Sequence, residues 1–281
     1  MVPILLDLKF IKIYTFGVFL ALAFLWGIFV LWKVVRLTSY KEEDIFDGLF
    51  LSLAGALFFS RLVFVLLNFE AFGFSLLKFI LINGYPGMSA YGALFGGLLV
   101  GALYLLRKKM AVIDVLDYTA SPLFLVMAIG KLGSFFSGAE IGEKTKFLIA
   151  IKYAGHDGMR HLTAFYESIL FFAASYFCYR LIFEIRKQKY THGFALYFFI
   201  WFFSLVYFLF DKMKGNHLYF LGQSVNFGIS GVFVLTFSFY FIYYFRSLLF
   251  HKFKLLLTVK PIYGNKAGER TSKEVTKQTG K

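Results

Sequence analysis

The chain has 281 residues, 59% of them hydrophobic and 22% aromatic but only 16% charged, with a mean hydropathy of +0.70. A water-soluble domain cannot hide that much apolar surface, and forty Phe and eighteen Tyr against four Pro exclude a disordered chain, a collagen-like repeat and a soluble coiled coil. A formal charge of +14 suits nucleic acid in a soluble protein, but in a membrane protein basic residues mark cytoplasmic loops; the composition reads as an all-α integral membrane protein with no nucleic-acid partner.

A helix needs about 20 apolar residues to cross a ~30 Å hydrocarbon layer. Seven segments of helical length run at about 13–31, 46–67, 90–106, 112–136, 163–183, 193–210 and 221–245. The first is too long for a signal peptide and has no small-residue cleavage site, so it is read as retained. After spans one, three and five come Lys33, Arg36 and Lys41, then Arg107 to Lys109, then Arg180, Arg186, Lys187 and Lys189. With the tail from Arg246, that side carries nineteen of the thirty Lys and Arg; nine lie on the other, and Arg61 and Lys131 sit at membrane depth. The positive-inside rule puts the N-terminus outside and the C-terminus in the cytoplasm.

Residues 1–250 are therefore expected to form a seven-helix transmembrane domain, and 251–281 a basic, disordered cytoplasmic tail near anionic lipid. Two outer segments are more than connectors. Residues 74–82 are apolar and precede Asn83-Gly84-Tyr85-Pro86-Gly87, which reads as a half-helix lying at the outer interface. Residues 137–161 form a polar outer loop with Glu140, Glu143, His156, Asp157 and His161. Cys178, the single cysteine, can form no intrachain disulfide. The sequence shows no internal repeat, so an inverted-repeat transporter has no direct support.

Charged groups within a span face a polar cavity, a partner or the interface. At ~1.5 Å per residue, Arg61 lies about 22 Å and Lys131 about 28 Å from the inner ends of their spans, in the outer half of the membrane. Tyr91, opening span three, and Glu140, following span four, reach the same depth. These cations need an anion, and a phospholipid phosphate is available at headgroup level. Snorkelling to the interface, with Lys131 pairing to Glu140 or Glu143, explains them equally well. Gly130, Gly133, Ser134, Ser137 and Gly138 make a small-residue stripe beside Lys131, which permits close approach of a helix or a ligand. Ser134 shares the face of Lys131. Asp114 and Asp117, at the inner end, read as neutralising Arg107 to Lys109.

Residues 117–145 read D-x4-P-x7-G-K-L-G-S-F-F-S-G-A-E-I-G-E-K-T. This resembles the signature of the prolipoprotein diacylglyceryl transferase family, G-R-x-G-N-F-x-N-x-E-x-x-G-x-x-T preceded by an Asp and a Pro. Gly87-Met88-Ser89-Ala90-Tyr91-Gly92 is similar to the family's G-M-S-F-H-G, and His161-Leu162-Thr163-Ala164-Phe165-Tyr166-Glu167 to its H-P-T-Q-L-Y-E. Ser60-Arg61-Leu62 with Asn68, and Gly222-Gln223, also match, all in the family's order. Arg61, Asp117, Gly130, Gly133, Glu140, Tyr166 and Glu167 are retained. Tyr91 stands where the family has His, Lys131 where it has Arg, Ser134 where it has Asn, and Trp201 and Leu205 where span six carries Tyr and Arg.

The resemblance implies seven spans and an outside N-terminus, in a bacterial cytoplasmic membrane with the site facing the outer leaflet. It implies the transfer of diacylglyceryl from phosphatidylglycerol to the lipobox cysteine thiol of a prolipoprotein signal peptide, with no metal or organic cofactor. On that reading Arg61, Lys131 and Ser134 bind the substrate phosphate, and Gly130, Gly133, Asp117 and Glu167 shape the site. Thiolate formation falls to Tyr91, Glu140 or Tyr166; an unperturbed phenol titrates near pH ~10, which favours a carboxylate or a phenol beside a cation. A non-catalytic relative that binds phospholipid or lipoprotein precursor is the alternative, and an unrelated membrane transporter the second.

Overall fold

A computed structural model describes residues 2–8, 12–81, 84, 85, 87–153, 155–215, 219, 220 and 223–246. The expected tail, Gly222 and the side chains of Tyr91 and Gln223 lie outside the described residues. The chain opens with an antiparallel hairpin, β1 (Ile4–Asp7) and β2 (Lys12–Tyr14), leading into α1 (Thr15–Val35). Glu42, Glu43 and Asp44 favour the positive end of the next helix dipole and start α2 (Glu42–Leu67). The short helices α3 (Phe69–Phe72) and α4 (Leu76–Ile80) follow, then α5 (Ala90–Arg107), with Ser89 accepting from the amide of Gly92 as its cap. α6 (Val112–Ser137) ends at Gly138, whose left-handed φ of 73° closes the helix.

The outer loop holds the hairpin β3 (Ala150–Lys152) and β4 (Met159–His161). Then come α7 (Thr163–Arg186), α8 (Phe194–Phe210), a 3-10 turn (Asp211–Met213), the two-residue strands β5 (Tyr219–Phe220) and β6 (Gln223–Ser224), and α9 (Val225–Tyr244). Among the described residues six helices are long and apolar enough to cross a membrane: α1, α2, α6, α7, α8 with its 3-10 extension, and α9. The segment expected as the third span is α5, whose apolar stretch Gly92–Arg107 is shorter than those. The half-helix expected at 74–82 is confined to α4 within the described residues, and Phe74, Leu76, Leu77 and Ile80 are exposed. By internal contacts the chain divides after Phe237; the second unit, Ser238–Lys281, is described as far as Arg246 and contains the end of α9.

Helix pairing follows from small residues and buried hydroxyls. α2 packs on α5 through glycines: a Cβ on Gly92 would stand 2.5 Å from the carbonyl oxygen of Phe59, and one on Gly96 2.6 Å from that of Gly55. α6 packs against α1 and α7. On the α7 side, Ser121 Oγ donates to the carbonyl of Ser175 at 3.0 Å, Ser175 Oγ donates back to that of Ser121 at 2.9 Å, and Ser168 Oγ donates to that of Ala128 at 2.8 Å. Phe124 then gathers Phe171 of α7 and Phe198, Phe199 and Phe202 of α8 into an aromatic core. Leu31, Val35, Ile45, Leu105 and Val115 join α1, α2, α5 and α6 at the end where the basic loops lie, opposite Arg61 and Lys131.

The inner acids do not serve the basic run as expected. Lys108 pairs with Asp44 of α2 at 2.6 Å, and Asp114 lies 2.9 Å from His192. Buried Asp117 accepts the amides of Gly193 (2.5 Å) and Leu196 (2.8 Å), capping α8 from another helix. Helix starts leave amides without internal partners, and a carboxylate is well suited to take them. Asp117→Ala should lower stability by about 1–3 kcal/mol, the cost of leaving such donors buried and unpaired, read as a lower unfolding temperature.

Candidate active site

The cluster at the C-terminal end of α6 is built on Lys131. Its side chain is 10% exposed, and its ammonium meets both oxygens of Glu140, at 2.6 and 2.7 Å, and one oxygen of Glu167 at 2.7 Å. Glu167, one turn into α7, is fully buried. Its other oxygen lies 2.6 Å from Lys214, just past the 3-10 turn that ends α8. Tyr207 of α8 places its ring against both ammoniums, 5.2 Å from that of Lys131 and 4.0 Å from that of Lys214. Burial pushes the Lys214 ammonium below the usual lysine range, the neighbouring Lys131 adds to this, and Glu167 opposes it.

Backbone pairing brings these groups together. Residues 141–145 run between two other segments. On one side Glu143 N donates to Met213 O (2.8 Å) and Gly215 N to Ile141 O (2.9 Å), with a bridge between Gly142 and Lys214. On the other, His161 N donates to Glu143 O (3.0 Å) and Thr145 N to Met159 O (2.9 Å). The Arg160 guanidinium donates to Gly142 O at 3.0 Å. Gly142 has no room for a side chain, because a Cβ would stand 2.2 Å from the carbonyl oxygen of His161. Gly142→Ala should therefore part the two loops, at an overpacking cost of about 1–3 kcal/mol, and lower transfer activity and unfolding temperature together.

Arg61 belongs to a different set of contacts. Buried at the outer end of α2, it donates to the carbonyls of Phe79 (2.9 Å), Gly87 (2.8 Å) and Lys78 (2.7 Å), with its guanidinium near the rings of Phe64 and Phe72. It fastens α4 and the segment before α5 onto α2. Ser60 reinforces the attachment by donating to Ser89 O at 3.0 Å. The partners of Arg61 are thus backbone carbonyls and those of Lys131 carboxylates; among the described residues no hydrogen bond or ion pair joins the two groups.

Residues 3–243 match the family model described as prolipoprotein diacylglyceryl transferase. The chain belongs to that family. It is 28% identical over 202 residues to the phosphatidylglycerol–prolipoprotein diacylglyceryl transferase of Clostridium tetani, covering 70% of this chain and 80% of the relative. The transferase of the same name from Clostridioides difficile is 26% identical over 209 residues, 74% of this chain and 81% of the relative. One from Clostridium botulinum is 26% identical over 249 residues, 86% and 96% of the respective chains.

Against the family signature, Lys131, Glu140 and Glu167 come together. Ser134, buried one turn on, takes the amide of Ala139 and the hydroxyl of Ser137 on its carbonyl. The small-residue stripe divides: Gly133 is closed by α1, where a Cβ would meet Phe19 at 2.4 Å, while Gly130 has open space. The Tyr166 phenol donates to the carbonyl of Ile149 at 2.7 Å. Tyr153 is no substitute, since burial pushes its phenol up to about 12. The side chain of Tyr91 lies outside the described residues, though Arg61 holds Gly87, in the segment that leads into its helix α5. Lys214 and Tyr207 stand in no motif of the sequence. Lys214 is a lysine directly behind an apolar span, and nothing in spacing ties it to Glu167.

Proposed function

We propose that this chain transfers the diacylglyceryl group of phosphatidylglycerol to the lipobox cysteine of a prolipoprotein, with the cluster of Lys131, Glu140, Glu167 and Lys214 as the reaction centre. The single observation that carries the reading is a buried Lys131 at the family's Arg position, set between the family's two retained glutamates. Lys131 binds the phosphate. Lys214 and Tyr207 supply the second cation and the phenol that Leu205 and Trp201 do not, and Ser134 lines the same face of α6. Glu140 accepts the thiol proton. Arg61 acts on the headgroup through the segment it anchors, while Asp117, Gly130 and Gly133 keep α6 in place.

The chemistry is a displacement at carbon. Thiolate sulfur attacks the glycerol carbon that bears the phosphate, the carbon–oxygen bond breaks, and glycerol 1-phosphate leaves with the electron pair. Ammonium groups in a poorly hydrated site stabilise the charge that collects on that leaving oxygen. Seven spans, with the N-terminus outside and the site facing the outer leaflet of a bacterial cytoplasmic membrane, fit this use. The excess of basic residues on the opposite loops supports that orientation. The test is complementation of a transferase-depleted bacterium, followed by mass spectrometry of a lipobox reporter. A diacylglyceryl adduct is expected; its absence despite confirmed membrane insertion would refute the reading and favour a relative that only binds lipid or precursor.

A further inference from the structure

The two carboxylates on Lys131 are not equivalent. Glu167 is 0% exposed and is held from both sides, with one oxygen on Lys131 and the other on Lys214. Glu140 is 36% exposed, sits on the loop two residues beyond the left-handed Gly138, and among the described residues its carboxylate bonds Lys131 alone. Both oxygens of Glu140 face one ammonium, the arrangement that two oxygens of a phosphodiester would adopt. Any phosphate that reaches Lys131 must take the side Glu140 now covers, because the other side is closed by Glu167 and the Tyr207 ring.

We propose that Glu140 is an exchangeable occupant of the phosphate position on Lys131: the phospholipid displaces it, and the freed carboxylate takes the proton of the incoming thiol. This rests on the Lys131 site proposed above and adds an order to it, since phosphatidylglycerol must bind before the prolipoprotein. While both oxygens of Glu140 face the Lys131 ammonium they are engaged; once displaced, they are free to accept the thiol proton. In the step itself the thiol proton moves to Glu140 and the sulfur–carbon bond forms as the carbon–oxygen bond breaks, with its electron pair remaining on the phosphate oxygen. Glu140 then gives its proton to the departing glycerol 1-phosphate and returns to Lys131. The fixed Glu167–Lys214 pair leaves Lys131 with one counter-ion throughout.

Glu140→Gln separates binding from chemistry. Purified protein is titrated with phosphatidylglycerol by native mass spectrometry, and its kinetics are measured with a lipobox peptide. Lipid binding is expected to tighten roughly three- to tenfold, as the competing carboxylate is gone, while kcat falls at least about 100-fold with the base. Weaker or unchanged lipid binding, or an unchanged kcat, overturns the exchange. A second measurement uses the unmodified protein and a peptide with serine in place of the lipobox cysteine. It should inhibit uncompetitively against phosphatidylglycerol and competitively against the cysteine peptide; competitive or mixed inhibition against the lipid refutes the order. If Lys131→Met binds phosphatidylglycerol as the unmodified protein does, the site and the exchange fall together, whereas failure of Glu140→Gln alone leaves the site standing.

Discussion

Lys131→Ala is expected to lower diacylglyceryl transfer about 10- to 150-fold, the value of a lost charge-assisted contact of about 1.5–3 kcal/mol to the substrate phosphate. The same change also strands Glu140 and removes half the counter-charge from Glu167. Breaking a buried ion pair from one side costs about 3–5 kcal/mol, so a fall in activity by itself does not distinguish lost catalysis from lost fold. Pairing Lys131→Met with Glu140→Gln removes one charge of each sign. That combination should recover most of the unfolding temperature without recovering transfer. Lys131→Arg should keep transfer or raise it, because a guanidinium offers two parallel donors to a phosphate where an ammonium is a point charge. Arg61→Ala should cost no more transfer than Lys131→Ala, because Arg61 donates to backbone carbonyls.

Glu167→Gln is expected to be the most damaging single change to stability. It leaves Lys131 with Glu140 as its counter-ion and takes from Lys214 the carboxylate it pairs with among the described residues, at positions 10% and 14% exposed. The expected loss is about 3–5 kcal/mol, seen as an unfolding temperature lowered by several degrees in detergent. Adding Lys214→Met should restore much of it, because the two substitutions together delete one buried charge of each sign. The coupling between them should exceed ~1 kcal/mol in a double-mutant cycle. Additive effects would mean that the 2.6 Å pair contributes little to the fold.

Most of the helical framework is readable from apolar run length, because a bilayer leaves a chain few other ways to satisfy its backbone. Thus α1, α2, α5, α6, α7, α8 and α9 fall where the helical segments were expected, although the apolar stretch of α5, Gly92–Arg107, is shorter than the six that are long enough to span. Lys131 and Glu140 are legible for a related reason: a charge at membrane depth demands a partner, and Glu140 follows it in sequence at the same depth. What is not legible comes from pairing between distant loops. Lys214 reaches Glu167 because residues 213–215 run beside 141–143, an association set by backbone hydrogen bonds that leave no period in the side chains.

Carbonyl partners are equally silent in sequence. Arg61 looked like a cation in need of an anion, yet its guanidinium bonds three backbone oxygens of the segment it anchors. Asp117 looked like a counter-charge for the inner basic run, yet it caps α8. In both cases the charge and its depth were visible, while the partner was a main-chain group whose position depends on how the chain folds back.

The most direct measurement is the release of glycerol 1-phosphate when a lipobox peptide is added to the protein reconstituted in phosphatidylglycerol liposomes, compared between the unmodified chain and the charge-balanced variant Lys131→Met with Glu140→Gln. Release matching the peptide modified is expected from the unmodified chain, and loss of release from the variant at a similar unfolding temperature. Equal release from both, or none from the correctly inserted unmodified chain, would contradict a transferase reaction centred on Lys131.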